Sequence, residues 1–179
     1  KEATIFVENQ LKGLVNVFQT DIEQPYTDYE MTGEWLISQS CSDSVIQYNN
    51  ADYIWYNIAG YNVVQGDSSP LSVKWYMNYY NNSDEESEAV AFVTNLVQSL
   101  GITEMEIPEA IRSIYNWIAS NCKYDLTTKQ VTWYTPSGVT TNQIAQNGLY
   151  DVFISKKSTC QGFARAIYYV LNRYVTPCR

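Results

Sequence analysis

"KKSTCQGFARAIYYVLNRY", Lys156 to Tyr174, sets a cysteine between two small hydroxyl residues and a long helical pattern. Ser158 or Thr159 can cap a helix that begins near Cys160, and Ala164, Ile167, Tyr168 and Leu171 then mark its expected buried face. Gly162 permits close approach of another backbone or a substrate. A thiol in the first turn of a helix meets unpaired N–H groups and the positive end of the macrodipole, and both favour the thiolate. The same N–H groups can donate to an oxyanion that forms on an attacked carbonyl. This is the arrangement a thiol acyl-transfer enzyme requires. The plainer reading is a small buried cysteine closing a helix–sheet contact. A nucleophile also needs a base, and the chain contains no histidine.

Outward from that stretch, 179 residues suit one domain, or one domain with an appended lobe. Hydrophobic residues make up 45%, enough for a substantial core. A formal net charge of −8 argues against nucleic-acid binding, which needs a basic face to displace phosphate counterions. No apolar run approaches the roughly 20 residues that cross a bilayer. The start at Lys1, without Met or a signal peptide, reads as a processed N-terminus. The 16 tyrosines offer rigid faces with polar tips, suited to carbohydrate or peptide surfaces, although no motif organises them. Cys41, Cys122, Cys160 and Cys178 form no close pairs, so neither a zinc ribbon nor, without His, another common metal site is implied. An even count permits disulfides in an oxidising compartment, with the pairing left open. No cofactor is implied.

"IFVENQLKGLVNVF" carries Ile5, Leu11, Leu14, Val15 and Phe18 at helical spacing, which predicts an amphipathic helix across Gly13. Thr27 with Glu30 forms a candidate capping box for a second helix that ends before the polar "SQSCSDS". "DYIWYNIAGYNVVQ" and "SPLSVKWYMNYYNNS" are rich in β-branched and aromatic residues and flank the turn cluster "GDSSP", which predicts an antiparallel hairpin. "SDEESEAVAFVTNLVQSLG" opens with Ser83 as a cap and acids in its first turn, shows an apolar period and closes at Gly101. "IPEAIRSIYNWIASNCKYD" follows, with Pro108 at an expected first helical position and a stripe of Ile111, Ile114, Tyr115 and Ile118. "LTTKQVTWYTPSGVTTNQIAQNG" lacks a clear period and predicts a long loop with a short strand at Val131–Tyr134.

"STCQGFARAIYYVL" resembles the cysteine motif of the transglutaminase-like superfamily: Cys, a variable residue, Gly, an aromatic, Ala, then an apolar helix. "IRSIYNWIASNCKYD" resembles the helix ending in Lys-Tyr-Asp that precedes it in bacterial members, and "NGLYDVFISKKSTC" resembles their approach to the cysteine. "NNADYIWYNIAGY" resembles the hairpin entrance of an N-terminal extension in Gram-positive surface proteins, with Ala51-Asp52-Tyr53 in place of the usual form. The resemblance covers most of the chain from about Asn49. It implies an α+β fold: N-terminal helices and a β-hairpin over residues 1–82, then the helical half of a papain-like core over 83–179. It maps the nucleophile onto Cys160, with Gln161, Gly162 and Tyr150 as candidates for pocket or oxyanion support. The family's His and Asp lie on strands after the cysteine helix, and the chain ends at "YVTPCR", about where the first such strand is expected to begin. The core is therefore expected to be incomplete, and this chain alone inactive. Asp125 and Asp151 are the nearest carboxylates in sequence; Asp125 reads as a loop cap.

Three readings follow as expectations. One is thiol acyl transfer on peptide or isopeptide amides, by hydrolysis or amine transfer. Another is a non-catalytic cell-surface module that binds glycan or protein. The third is a structural lobe of a larger surface protein. The resemblance implies an extracellular or cell-surface setting and a protein or peptide substrate. A missing sheet predicts an apolar face at Ile167, Tyr168 and Leu171, covered by a second copy or another lobe. Cys178 is placed to join such copies if conditions are oxidising.

Overall fold

The computed structural model describes residues 2–22, 28–40, 57–68 and 71–175. Thr27, Cys41, Cys178, residues 49–56 of the expected hairpin entrance and residues 176–179 of the strand expected from Val175 lie outside them; Val175 itself starts no strand but ends the helix before it, its N–H donating to the Leu171 carbonyl (3.1 Å). The described chain is mixed helix and strand, in keeping with the α+β expectation. It divides into two compact units, one of residues 1–79 with 131–142, the other of 80–130 with 143–179.

In the first unit α1 spans Glu2–Lys12 and buries Val7 and Leu11. The expected helix does not continue to Phe18. Gly13 closes the last turn on the Asn9 carbonyl (3.0 Å), and Leu14 takes a left-handed φ of 52°. The chain then reverses into β1 (Val17–Asp21). Phe18 is a strand residue, stacked on its cross-strand partner Trp75 at 5.2 Å between ring centres. A helix-compatible spacing concealed a strand because only one large residue, Phe18, faces inward there.

Helix α2 (Tyr29–Ser40) is capped by Asp28, whose Oδ1 accepts from the N–H groups of Glu30 (3.0 Å) and Met31 (3.1 Å). The expected hairpin forms between β2 (Ile58–Gln65) and β3 (Ser72–Tyr79). It is part of a larger element, an antiparallel sheet of order β1-β3-β2. The core of this unit joins Val7 and Leu11 of α1, Leu36 and Ile37 of α2, and Val73, Trp75 and Met77 of central β3. Burying each such side chain contributes about 1.5–3 kcal/mol.

The second unit begins with α3 (Ser83–Leu100). Asn82, rather than Ser83, is its cap: Asn82 Oδ1 accepts from Asp84 and Glu85 N–H, and the Glu85 carboxylate accepts from Asn82 N–H (3.0 Å). Gly101 ends it at φ 67°, as its sequence position predicts. A single 3₁₀ turn, Ile102–Glu104, leads to α4 (Ile107–Asn121), with Pro108 in its first turn. Helix α4 buries Ala110, Ile114 and Ile118, whereas Ile111 and Tyr115 of the expected stripe are exposed.

The expected loop after α4 is a β-hairpin. Strand β5 (Thr128–Thr135) pairs with β6 (Gly138–Ala145) across a two-residue turn at Pro136 and Ser137. The short strand expected at Val131–Tyr134 lies inside β5, where exposed and half-buried residues alternate; β6 is mostly exposed and polar, which hid it and the pairing. At the hairpin tip, within the first unit, Tyr134 N–H donates to Asn78 Oδ1 (2.7 Å) and Asn78 Nδ2 donates back to Tyr134 O (3.0 Å).

A short helix α5 (Leu149–Phe153) and α6 (Cys160–Tyr174) complete the second unit. Phe92 of α3, Trp117 of α4 and Phe153 of α5 form an aromatic cluster with ring centres 5.6–6.3 Å apart. Between α5 and α6, the two-residue strand β7 (Lys157–Ser158) runs parallel to β4 (Lys123–Tyr124).

Candidate functional site

Cys160 is the first residue of the 15-residue helix α6 and is exposed. Three constraints fix where the helix starts. Lys123 N–H donates to the Lys156 carbonyl and Asp125 N–H to the Ser158 carbonyl, both at 2.9 Å, which pins β7 against β4. Lys156 turns the chain through a left-handed φ of 57°. Then Thr159, in extended conformation, becomes the N-cap.

Neither expected hydroxyl caps the helix. Ser158 Oγ donates to the Gln146 carbonyl (2.5 Å), and Thr159 Oγ1 donates to Asn147 Oδ1 (2.6 Å). The cap makes no side-chain hydrogen bond to the first turn. The N–H groups beside the thiol are thus left without the partner that a serine or threonine usually supplies.

The expected buried face of α6 is shifted by one to two residues. Gly162, Arg165, Ala166, Tyr169, Val170 and Leu171 are buried, Ile167 and Tyr168 are half-buried, and Ala164 is exposed. The packed face meets α3, α4 and α5, all of which precede residue 160. Gly162 explains part of the shift. A Cβ there would lie 1.9 Å from Ser158 Oγ and 3.1 Å from Asn147 Cα, so the helix can press on residues 146–147 only through glycine. Arg165 explains the rest. Its guanidinium stacks on the Tyr80 ring at 4.2 Å and its Nη1 donates to the Asn147 carbonyl at 3.2 Å. An arginine thereby occupies a position that hydrophobic periodicity assigns to the surface.

Gln161 is exposed, and its Oε1 accepts from Asn147 Nδ2 at 2.9 Å. Tyr150 lies in α5, where its carbonyl accepts the N–H groups of Ile154 (2.9 Å) and Ser155 (3.0 Å) and so ends the helix. Gln161 and Gly162 therefore share the cysteine's helical turn, whereas Tyr150 is placed in the neighbouring helix. On the other side, the exposed Tyr124 ring lies 6.4 Å from that of Phe163, one turn after Cys160.

The two carboxylates do structural work. Asp125 Oδ1 accepts from Thr127 N–H (2.8 Å) in the loop after β4, and the Thr127 backbone and side chain hold its carboxyl below the usual range. Asp151 is buried, accepts from Gly148 N–H (2.8 Å) and pairs with Lys129 at 2.9 Å. Burial raises its carboxyl, and the Lys129 ammonium opposes the rise. Neither bonds the Cys160 thiol; among the described residues no side chain does. Cys122 is half-buried, and its Sγ lies 3.3 Å from the Val152 carbonyl. Burial pushes this thiol up, with Lys156 opposing.

The residue that sequence reasoning missed is Asn147. It is 3% exposed and binds Thr159 and Gln161 with its side chain and Arg165 with its carbonyl. Asn147 falls at the end of the stretch expected to be a loop, and nothing in local periodicity reports bonds to residues 12–18 positions later. No protein-family model, curated protein or solved structure matches the chain.

Proposed function

We propose that Cys160 is the nucleophile of a transglutaminase-like thiol acyl-transfer protein acting on peptide or isopeptide amides. One observation carries the reading. An exposed thiol opens a long helix, and both hydroxyls that could cap that helix are turned onto residues 146–147. The first-turn N–H groups stay available beside the sulfur, where a tetrahedral oxyanion would form. In the proposed step the Cys160 sulfur bonds to the acyl carbon and the C–N or C–O bond to the leaving group breaks. The thiol proton leaves to a base.

The chain has no histidine to take that proton or return it to a leaving amine. In the family the resemblance points to, His and Asp follow the cysteine helix. This chain is therefore expected to be acylated by activated esters, whose leaving group needs no protonation, and not to turn over peptide amides. Its setting at the cell surface or outside the cell rests on the resemblance alone. The test treats the chain with p-nitrophenyl acetate and locates the acetyl group by peptide mass. Acylation at Cys160, lost in Cys160→Ala, is expected. Equal labelling of all accessible thiols, at the rate of free cysteine, overturns the reading.

The unbonded thiol favours a second reading, a non-catalytic module that binds cell-wall glycan or protein through exposed aromatics such as Tyr115 and Tyr124. Co-sedimentation with peptidoglycan, undiminished in Cys160→Ala, is the expected result in that case. No retention on peptidoglycan or surface protein removes it.

A further inference from the structure

We propose that Lys129 and Asp151 condense into an intramolecular amide, an isopeptide cross-link from β5 to α5, with Glu85 carrying the protons. The inference is independent of Cys160.

Three side chains from three elements meet here. Lys129 Nζ lies 2.9 Å from Asp151 Oδ1 and 3.9 Å from Glu85 Oε2. The Asp151 side chain is 2% exposed and that of Lys129 is 19% exposed. The two oxygens of Asp151 have different partners: Oδ1 faces the ammonium, and Oδ2 accepts from Gly148 N–H at 2.8 Å. Glu85 is held in place by its bond to Asn82 N–H (3.0 Å) at the start of α3. An amine, a buried carboxyl carbon, a donor to one carboxyl oxygen and a carboxylate able to move protons are the parts an amide condensation requires.

The ion pair described above is the starting state of the step. Stripping water from Asp151 penalises its charged form. Burial raises its carboxyl, the Lys129 ammonium opposing. Moving one proton from Nζ to Oδ1 leaves a neutral amine beside a neutral acid, an exchange that costs far less in this dry site than in water. The Nζ lone pair then bonds to Cγ, the atom next to the oxygen it already touches. The π pair moves onto Oδ2, where Gly148 N–H holds it. Glu85 takes a proton from the nitrogen and returns it to Oδ1. Oδ1 leaves as water, with that proton and the one it gained first, and the pair on Oδ2 re-forms the carbonyl. Well-oriented groups in such contact react as though at about 10⁵ M or more, so a pair that is inert free in solution condenses here.

The experiment weighs the purified chain after reduction of its thiols. The expected mass is one water below that of the sequence. Trypsin cuts after a free Lys129 but not after an amidated one. Residues 124–156 are therefore expected as one peptide, also one water light, instead of 124–129 and 130–156. Chymotryptic cleavage at Trp133 and Tyr150 is expected to leave a branched peptide that carries both Lys129 and Asp151. These digests separate the amide from a succinimide at Asp151, which loses the same water but leaves Lys129 cleavable. Lys129→Arg keeps the cation and is expected at full mass. Glu85→Gln keeps an acceptor for Asn82 N–H and is expected to slow water loss, followed from refolding, at least about a hundredfold. A parent chain still at full mass after refolding and prolonged incubation overturns the inference whatever the variants do. Water loss that survives Lys129→Arg overturns it as well. Equal rates in Glu85→Gln and the parent overturn the role given to Glu85.

Discussion

Gly162→Ala sets two opposed effects of similar kind against each other, and the structure decides between them. In an open helix the change stabilises by about 1 kcal/mol, because alanine loses less backbone entropy than glycine. Here the new Cβ falls 1.9 Å from Ser158 Oγ and 3.1 Å from Asn147 Cα. Ser158 is fully buried, and its hydroxyl is committed to the Gln146 carbonyl. Rotating it away leaves buried polar atoms unpaired, at about 1–3 kcal/mol. Retaining it forces the helix off residues 146–147, an overpacking cost also of about 1–3 kcal/mol. Either route outweighs the propensity gain, and some of both is needed, so the net effect is a loss of about 3 kcal/mol. Hydrogen exchange of peptides covering 149–174 measures it within the second unit. The double variant Ser158→Ala with Gly162→Ala removes the 1.9 Å contact and leaves the nearest atoms at 3.1 Å, so it is expected to recover part of the loss. A Gly162→Ala protein as stable as the parent, or a double variant no better than the single, refutes this account of the helix start.

Burial pushes the Glu86 carboxyl up to about 7 from an ordinary 4.5. The folded state therefore holds the proton more tightly, and stability present below pH 4.5 is lost as pH rises through 7, by about 3 kcal/mol. Glu86→Gln is expected to flatten urea midpoints across that window and to exceed the parent above it; an unchanged pH profile contradicts this. Asn82→Ala removes the side-chain acceptor at the start of α3 and is expected to cost about 1 kcal/mol, with Asn82→Asp close to neutral, read from exchange of the helix's first turn. Iodoacetamide is expected to modify exposed Cys160 before half-buried Cys122, whose thiol burial pushes up; peptide mapping over time would expose the reverse order.

What the sequence discloses is what local chemistry controls. Helix α3 announces itself through acids in its first turn, an apolar period and Gly101, and only its cap shifts, from Ser83 to Asn82. The β2–β3 pair is legible because its strands are dense in β-branched and aromatic residues. The start of α6 at Cys160 follows from the small residues before it and the period after it. The failures share a cause. Strand β1 is five residues long, and the partner that defines it, Trp75, lies more than fifty positions away. In the β5–β6 hairpin only the Val131–Tyr134 part, where Val131 and Trp133 alternate with polar neighbours, was legible; β6 is exposed over its first six residues, so hydrophobicity could not report it. The buried side of α6 depends on a cation resting on Tyr80, a contact that polarity scales count as surface. At the candidate site the thiol and its helical turn were readable, and the clamp through Asn147 was not.

The placement of the hairpin tip, residues 131–142, with the first unit bears on how the polypeptide can be divided. A cut between Tyr79 and Tyr80 would not give two self-sufficient pieces. The fragment beginning at Tyr80 would carry twelve residues that belong to the other unit, and the fragment ending at Tyr79 would leave the Asn78 amide without the Tyr134 backbone that pairs with both of its ends. Two fragments produced together should therefore find each other and reassemble, as a split reporter does. The first fragment made alone should remain deficient until a peptide bearing the hairpin is supplied.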